Sequence, residues 1–355
     1  MEIEQGPEIV EKSVYTKWVE SQGVPVFRGF YVEDIRTAKL EPWERMGGLG
    51  AFINLFGDYA TNDAYLCEIP AGKTLKPQRH LFEEIVFVVG GAGKTLLRDS
   101  TGGEHSFEWR QGSLFSPPLN HWYQHMNTSA SEPARYLSVT TAPLTFNLLH
   151  DLDFVLNNSY TFKDRFFGPE FYGTKALLRP TKRISEANRP VVEAGLIPDV
   201  RNFQLGEWKE RGGGSLNMEF ELANNTLTAH VSEVPVGTYK KAHRHDPGAH
   251  IIHLTGNGYS LLWAEKRQRV KVDWRPYTLY VPPNYWWHQH FNASDSPARY
   301  LAIRWNSKKY PIWGEIPLDK DSRKGGDQIE YEDEDPEIKR MFNEAMAQHK
   351  QQGSV

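Results

Sequence analysis

The chain has 355 residues, 39% hydrophobic and 24% charged, with a formal net charge of −4 at pH 7. That length suits two ordinary domains, or one domain and its double, and so small a charge gives no general electrostatic reason to bind nucleic acid or an anionic membrane. A single cysteine, Cys67, excludes an intrachain disulfide and a Cys-based zinc site, and the apolar runs fall far short of the ~20 residues that span a bilayer.

In chain order, the first residues, MEIEQGPEIVEK, are acidic and lack the apolar core of a signal peptide, so a cytoplasmic protein is expected. Over 8–21, Val14, Tyr15, Trp18 and Val19 recur at helical spacing and predict a helix. Short strand signals follow. AYLCEIP, EIVFVVG and ARYLSVTT are rich in β-branched and aromatic residues and are bounded by Gly and Pro, with Gly90, Gly91 and Gly93 marking a tight turn. Residues 145–215 mix loops with short helical or extended pieces and include a Gly-rich turn at 212–214. A second set of strand signals comes next, with Gly256 and Gly258 copying the earlier turn. Near the end the acidic EYEDEDPE reads as solvated surface. Within it Asp335-Pro336 precedes Ile338, Met341, Phe342 and Met346, a helix whose first position suits Pro because no N–H is needed there. Many short strands with turn signals predict an all-β sandwich or barrel, with helices at the two ends. Eleven Trp among 13% aromatics suggest aromatic-lined cores or pockets.

The strand-rich part occurs twice. YLCEIPAGKTLKPQRH (65–80) aligns without gaps to HVSEVPVGTYKKAHRH (230–245), an offset of 165. WRQGSLFSPPLNHWYQHMN (109–127) meets WRPYTLYVPPNYWWHQHFN (274–292) at the same offset, and after one lost residue PARYLSV meets PARYLAI. A period of this length means a duplicated domain, not a solenoid. The expected organisation is an N-terminal extension (1–60), a first barrel (61–145), a linker (146–215), a second barrel (216–308) and a C-terminal extension (309–355). The extensions carry apolar positions, so they are expected to strap across the barrels and the protein to form a homodimer or higher homo-oligomer.

Four of the thirteen histidines, His243, His245, His250 and His253, fall within eleven residues. His243 and His245 are two apart on an expected strand and share a face, and so do His288 and His290 on a later one. Facing the inside of a small barrel, three imidazoles can converge, and neutral imidazole suits Zn, Cu, Fe or Ni. At the same offset the first module carries Gln78, His80 and Tyr123, with Glu84 close by, a poor set for a transition metal. It is therefore expected to be a structural partner. The gapless alignment puts Ala249 opposite Glu84, His253 on its face and His250 on the other, unless the DPGA turn holds an extra residue, which would make His250 a fourth ligand.

These residues resemble the cupin superfamily, whose motifs run G-x5-H-x-H-x3,4-E-x6-G and P-x-G-x2-H-x3-N. Gly237, His243, His245 and Gly256 carry the first, and Pro283, His288 and Asn292 the second; Tyr285 replaces the usual second-motif glycine. AHRHDPGA followed by WWHQHFN is similar to the gentisate 1,2-dioxygenase group of bicupins, which bind Fe(II) with three histidines and no glutamate. Ala242, His243, Arg244, His245 and Ala249 match, as do Trp287, His288, His290 and Asn292, while Gln289 stands for the group's Asp. The resemblance implies two tandem jelly-roll (double-stranded β-helix) barrels with one metal held by His243, His245 and His288 in the second. Fe(II) leads as the cofactor, with Mn, Ni, Co and Zn as alternatives.

The expected activity is a ring-cleaving, non-haem Fe(II) dioxygenase using O2 on a small aromatic or chelating acid. The alternatives are a metal-dependent lyase, decarboxylase, hydrolase or isomerase that needs no O2, and a small-molecule sensor. His290 is the candidate acid/base and Arg304 the candidate carboxylate clamp. Gln289, His253 and Trp287 are candidate substrate contacts, with Trp263 and Trp305 completing an aromatic wall. No nucleic-acid or membrane partner is expected.

Overall fold

The β-branched and aromatic runs form strands, and the chain winds them into two barrels. The computed structural model describes residues 12–57, 61–166, 168–173, 175–179, 190–245, 248–311 and 321–352. Helix α1 (Val14–Ser21) starts where the Ser13 side chain accepts from the Thr16 N–H, and it buries Tyr15, Trp18 and Val19 as their spacing predicts; residues 8–11 of the expected helix lie outside the described residues. Strands β1 (Val26–Phe27), β2 (Tyr31–Val32), β3 (Glu41–Trp43), β4 (Gly48–Ile53), β5 (Asp63–Ile69), β6 (Glu84–Gly90), β7 (Ala92–Arg98), β8 (Glu104–Arg110), β9 (Leu114–Phe115), β10 (Trp122–Asn127) and β11 (Ala134–Thr140) come first. Helices α2 (Ala142–Leu149) and α3 (Leu152–Asn157) follow. The second series is β12 (Leu177–Arg179), β13 (Val191–Ala194), β14 (Leu196–Ile197), β15 (Gly206–Glu207), β16 (Leu216–Leu222), β17 (Leu227–Val234), β18 (His250–Thr255), β19 (Gly258–Trp263), β20 (Val270–Trp274), β21 (Leu279–Tyr280), β22 (Trp287–Phe291) and β23 (Ala298–Trp305). Helix α4 (Pro336–Gln352) ends the described chain.

Each barrel is a large sheet closed by a three-stranded one, β10-β7-β8 in the first and β20-β19-β22 in the second. The two large sheets pack back to back. Ile85, Phe87 and Leu137 of the first share one apolar core with Val231, Ile252 and Leu301 of the second. Alternation then sends the intervening residues into the barrels: Val86, Val88 and Tyr136 in one, Ile251, Tyr300 and Ala302 in the other.

The segments ahead of each barrel exchange strands. Tyr31↔Tyr280 and Val32↔Leu279 join β2 to the second barrel, and Leu196↔Phe115 and Ile197↔Leu114 join β14 to the first. Both exchanges keep the offset of 165, so the duplication reaches back into the segments expected as extension and linker. Asp34 and Arg36 form the same turn and ion pair as Asp199 and Arg201. Further symmetry pins the ends of the strands. Asn127 donates to the carbonyls of Ile69, Pro70 and Glu132, and Asn292 donates to those of Val234, Pro235 and Ser296.

Tyr285, at the position where the cupin motif has glycine, adopts φ +58, and its counterpart Asn120 adopts φ +56. The turn demands a left-handed residue, which is why glycine suits it and why Tyr carries strain there. Helix α4 buries Ile338 and Phe342 against Tyr239 and Phe291 on the outside of the second barrel. The acidic stretch before it is not simply solvated. Glu330 pairs with Lys241, and Glu334 accepts from Tyr239 and Gln289.

Candidate metal centre

The segment 240–245 is extended and lies against β22. His243 and His288 are directly opposite and exchange both backbone hydrogen bonds, at 3.0 and 2.8 Å, and Lys240 N–H donates to the His290 carbonyl at 3.1 Å. This pairing brings the rings together: centroids are 4.2 Å apart for His243–His288, 4.8 Å for His245–His288 and 5.9 Å for His243–His245. Each of the three offers a ring nitrogen, and these atoms all lie within 4.8 Å of one another.

Hydrogen bonds select the presented nitrogen. His243 Nδ1 lies 3.1 Å from the Lys241 carbonyl and His288 Nδ1 lies 3.2 Å from the Trp286 carbonyl. A carbonyl only accepts, so Nδ1 carries the proton and Nε2 keeps the lone pair a metal needs. His245 Nδ1 is buried and has no hydrogen-bond partner. Burial is the main reason these rings stay neutral. It holds His243 and His245 well below the usual histidine range and His288 down to about 3, reinforced by cations: Arg211 for His243, Arg304 and Arg211 for His245, and the same two with Lys240 for His288. Three converging neutral imidazoles fit a divalent transition ion.

Around the triad, His290 Nδ1 lies 2.9 Å from both the Ser260 and Tyr280 hydroxyls, and Trp274 Nε1 donates to Ser260 at 3.1 Å. Lys240 is fully buried. Its ammonium donates to the Tyr300 hydroxyl at 2.9 Å and lies over the Trp208 and Tyr300 rings. Reasoning from the sequence did not single out Lys240, Arg211, Tyr300 or His230. The repeat held a signal for Lys240, because the first module has Leu75 at its position.

Other expected site residues fall elsewhere. Trp287 and Gln289 do not face the triad. Along β22 the side chains alternate, so the neighbours of His288 point out of the barrel. Trp287 packs with Trp263 and Ile338 under the Arg244 guanidinium, and Gln289 donates to the Lys240 carbonyl and to Glu334. His250 is no fourth ligand. It pairs with Ile303 on the outer face of β18, and its Nδ1 lies 3.2 Å from Asn62 of the first barrel. Asp246 and Pro247 of the DPGA turn, where an extra residue would be needed to make His250 a ligand, lie outside the described residues. His253 does point inward, but it is buried flat against Trp274, ring centroids 3.8 Å apart. Arg304 lies on β23 opposite Thr228, close enough to act on His245 and His288.

The first barrel fills the same space with its own side chains. His80 Nε2 lies 2.9 Å from the Tyr123 hydroxyl and 3.3 Å from Glu84. Glu84 also accepts from Tyr123, Tyr65 and Ser138. Burial pushes the Glu84 carboxyl up, but His80 and the hydroxyl donors prevail and hold it down to about 2. The network satisfies its own members, and no cluster of metal-ligand type forms there among the described residues.

No protein-family model matches the sequence, and no curated protein matches it. Solved structures do. The chain is similar to the formate complex of Lactobacillus farciminis oxalate decarboxylase, with 14% identity over 81% of this chain and 88% of that one and a TM-score of 0.51. It is also similar to a mutant of Bacillus subtilis oxalate decarboxylase OxdC, with 12% identity over 78% of this chain and 77% of that one and a TM-score of 0.50. At such identities the likeness speaks for the fold, and it says nothing of a gentisate dioxygenase-like group. The chain has the two-barrel fold of these bicupins.

Proposed function

We propose that the protein is a metal-dependent enzyme acting on a small organic acid in the second barrel, with decarboxylation or a related lyase reaction as the leading class. The observation that carries this reading is the convergence of His243, His245 and His288 near the cations Arg211, Arg304 and Lys240, which act on the triad and His290. Such a lining favours an anion, and a guanidinium binds a carboxylate through two parallel hydrogen bonds.

A divalent ion held by the triad would supply Lewis-acid polarisation of substrate oxygens, and redox chemistry if it is iron or manganese. The chain's own part is to bind, orient and exclude water. Arg304 and Lys240 orient the acid by charge, and the buried walls keep solvent from the reacting atoms. With its Nδ1 engaged by hydroxyls, His290 has Nε2 left to exchange a proton with substrate.

The lyase reading is supported by the oxalate decarboxylases among the chains of this fold. The dioxygenase reading is supported by the carboxylate-free, three-imidazole set. Simultaneous measurement of CO2 release and net O2 uptake separates them, using protein reloaded with Mn(II) or Fe(II) and a panel of oxalate, malonate and hydroxylated aromatic acids. Release of CO2 without net O2 consumption supports a decarboxylase. Stoichiometric O2 consumption on an aromatic acid moves the assignment to the oxygenase.

A further inference from the structure

The segment 240–245 carries two of the three triad histidines, so whatever holds its two edges decides where their rings stand. One edge is held by β22. The other is held by residues 327–329, close to helix α4 in sequence. Arg244 N–H donates to the Asp327 carbonyl at 3.0 Å, and Ile329 N–H donates to the Ala242 carbonyl at 2.9 Å. These two bonds flank an antiparallel pair of His243 and Gln328, so His243 stands between His288 on one side and Gln328 on the other. Residues directly opposite one another share a face, which puts Gln328 on the face of the His243 ring.

Gln328 is 2% exposed, and its amide is fully used. Its Oε1 accepts from Arg211 Nη1 at 2.9 Å, and its Nε2 donates to the Glu210 carbonyl at 3.1 Å and to Glu330 at 2.8 Å. Arg211 is a cation that acts on all three triad histidines. The added segment is itself anchored: Ser322 N–H donates to the Gln328 carbonyl, Glu330 pairs with Lys241, and α4 packs on Tyr239 and Phe291. The first barrel shows what the fold needs without a triad. Gln78, the counterpart of His243, exchanges backbone hydrogen bonds with Tyr123 at 2.9 and 3.1 Å, and Lys76 N–H donates to the Met46 carbonyl as Lys241 does to that of Arg211. Among the described residues, however, nothing pairs with Gln78 on its other edge. The extra strand belongs to the barrel that holds the triad.

We propose that residues 327–330 are a clamp on the metal centre, with Gln328 as its positioning residue, and that clamp and metal stabilise each other. Docked, the clamp grips the backbone on both sides of His243 and fixes Arg211 beside the triad, so the rings are placed before an ion arrives. A bound ion in turn fixes His243 and makes undocking of the clamp costlier, because such coupling is reciprocal. Displacement of this segment would then release the ion with every ligand intact. This inference rests on the metal reading of the triad.

The test uses Mn(II) and the intact protein, with calorimetric affinity and hydrogen exchange as readouts. In the wild type, Mn(II) should slow exchange of the Arg244 and Ile329 amides about tenfold or more and leave the Gln78 and Tyr123 amides of the first barrel unchanged. Gln328→Ala should weaken Mn(II) binding about tenfold, and Gln328→Glu, which keeps an acceptor for Arg211, should weaken it less. Mn(II) binding that leaves exchange at Arg244 and Ile329 unaltered overturns the inference and leaves the metal reading standing. So does a folded Gln328→Ala that is less stable but binds Mn(II) as the wild type does, because that result assigns Gln328 to the fold alone. A wild type that binds no divalent ion removes the metal reading and the inference together. The exchange measurement needs no variant, so misfolding of Gln328→Ala does not shield the proposal.

Discussion

His125 and His290 make the same contact in two barrels that otherwise differ. Nδ1 of each lies beside the hydroxyl of the residue opposite, Thr95 at 2.7 Å and Ser260 at 2.9 Å, and that hydroxyl accepts from the indole N–H of Trp109 or Trp274. The first barrel keeps this arrangement without a histidine triad, so the arrangement serves the barrel as scaffold whether or not a metal is held. His290 carries that scaffold role in addition to any proton it exchanges with substrate.

His125→Asn and His290→Asn should therefore each lower unfolding free energy by about 1–3 kcal/mol, because buried hydroxyl and indole groups lose a partner. Urea unfolding of the metal-free protein measures this. His290→Asn with undiminished stability and abolished turnover would assign it to proton transfer alone.

Lys240→Leu copies the first barrel, which has Leu75 at that position. A buried ammonium is costly to hold, so the change should leave stability unchanged or raise it, and metal content should stay intact. Activity on an anionic substrate should fall by roughly 10–100-fold, chiefly through KM, if the cation orients the acid. Unaltered kinetics would remove Lys240 from the site.

Burial holds His125 and His250 down to about 4 from an ordinary 6.5, with Glu84 and Asp63 opposing the shift. Their folded values lie below the unfolded one, so their contribution to stability is complete above 6.5 and is lost as the pH falls through about 4. Thermal unfolding of the metal-free protein should show a melting temperature that drops across this window. His250→Asn should flatten the drop, since Asn does not titrate. A melting temperature independent of pH there would contradict the assignment of both rings as buried and neutral.

Tyr285→Gly should stabilise the protein by up to about 1 kcal/mol, because relief of the left-handed conformation exceeds the added freedom of the unfolded chain. The change lies at an exposed turn and should not alter metal content. Denaturant midpoints of the two proteins decide it.

The duplication, the barrel strands and the triad were legible in the sequence because each leaves a pattern: an ungapped offset, β-branched runs between turns, and histidines two apart on paired segments. The strand exchange was not. Strands β2 and β14 are two residues long, too short for any period, and their segments share little beyond Val26/Val191, Asp34/Asp199, Arg36/Arg201, Leu40/Leu205, Trp43/Trp208, Gly47/Gly212 and Gly48/Gly213. Trp287 and Gln289 misled because they flank His288 of the triad in sequence, whereas alternation puts them on the opposite face. Lys240 and Arg211 left no motif. Their place near the triad comes from packing of the barrel interior.

The central claim is that the metal centre lies in the second barrel at His243, His245 and His288, and metal analysis of three proteins tests it most directly. After incubation with Mn(II) or Fe(II) and removal of excess ion, the wild type and His80→Ala should each retain about one ion per chain, while His245→Ala should retain none. Retention by His245→Ala with loss in His80→Ala would move the centre to the first barrel and contradict the account.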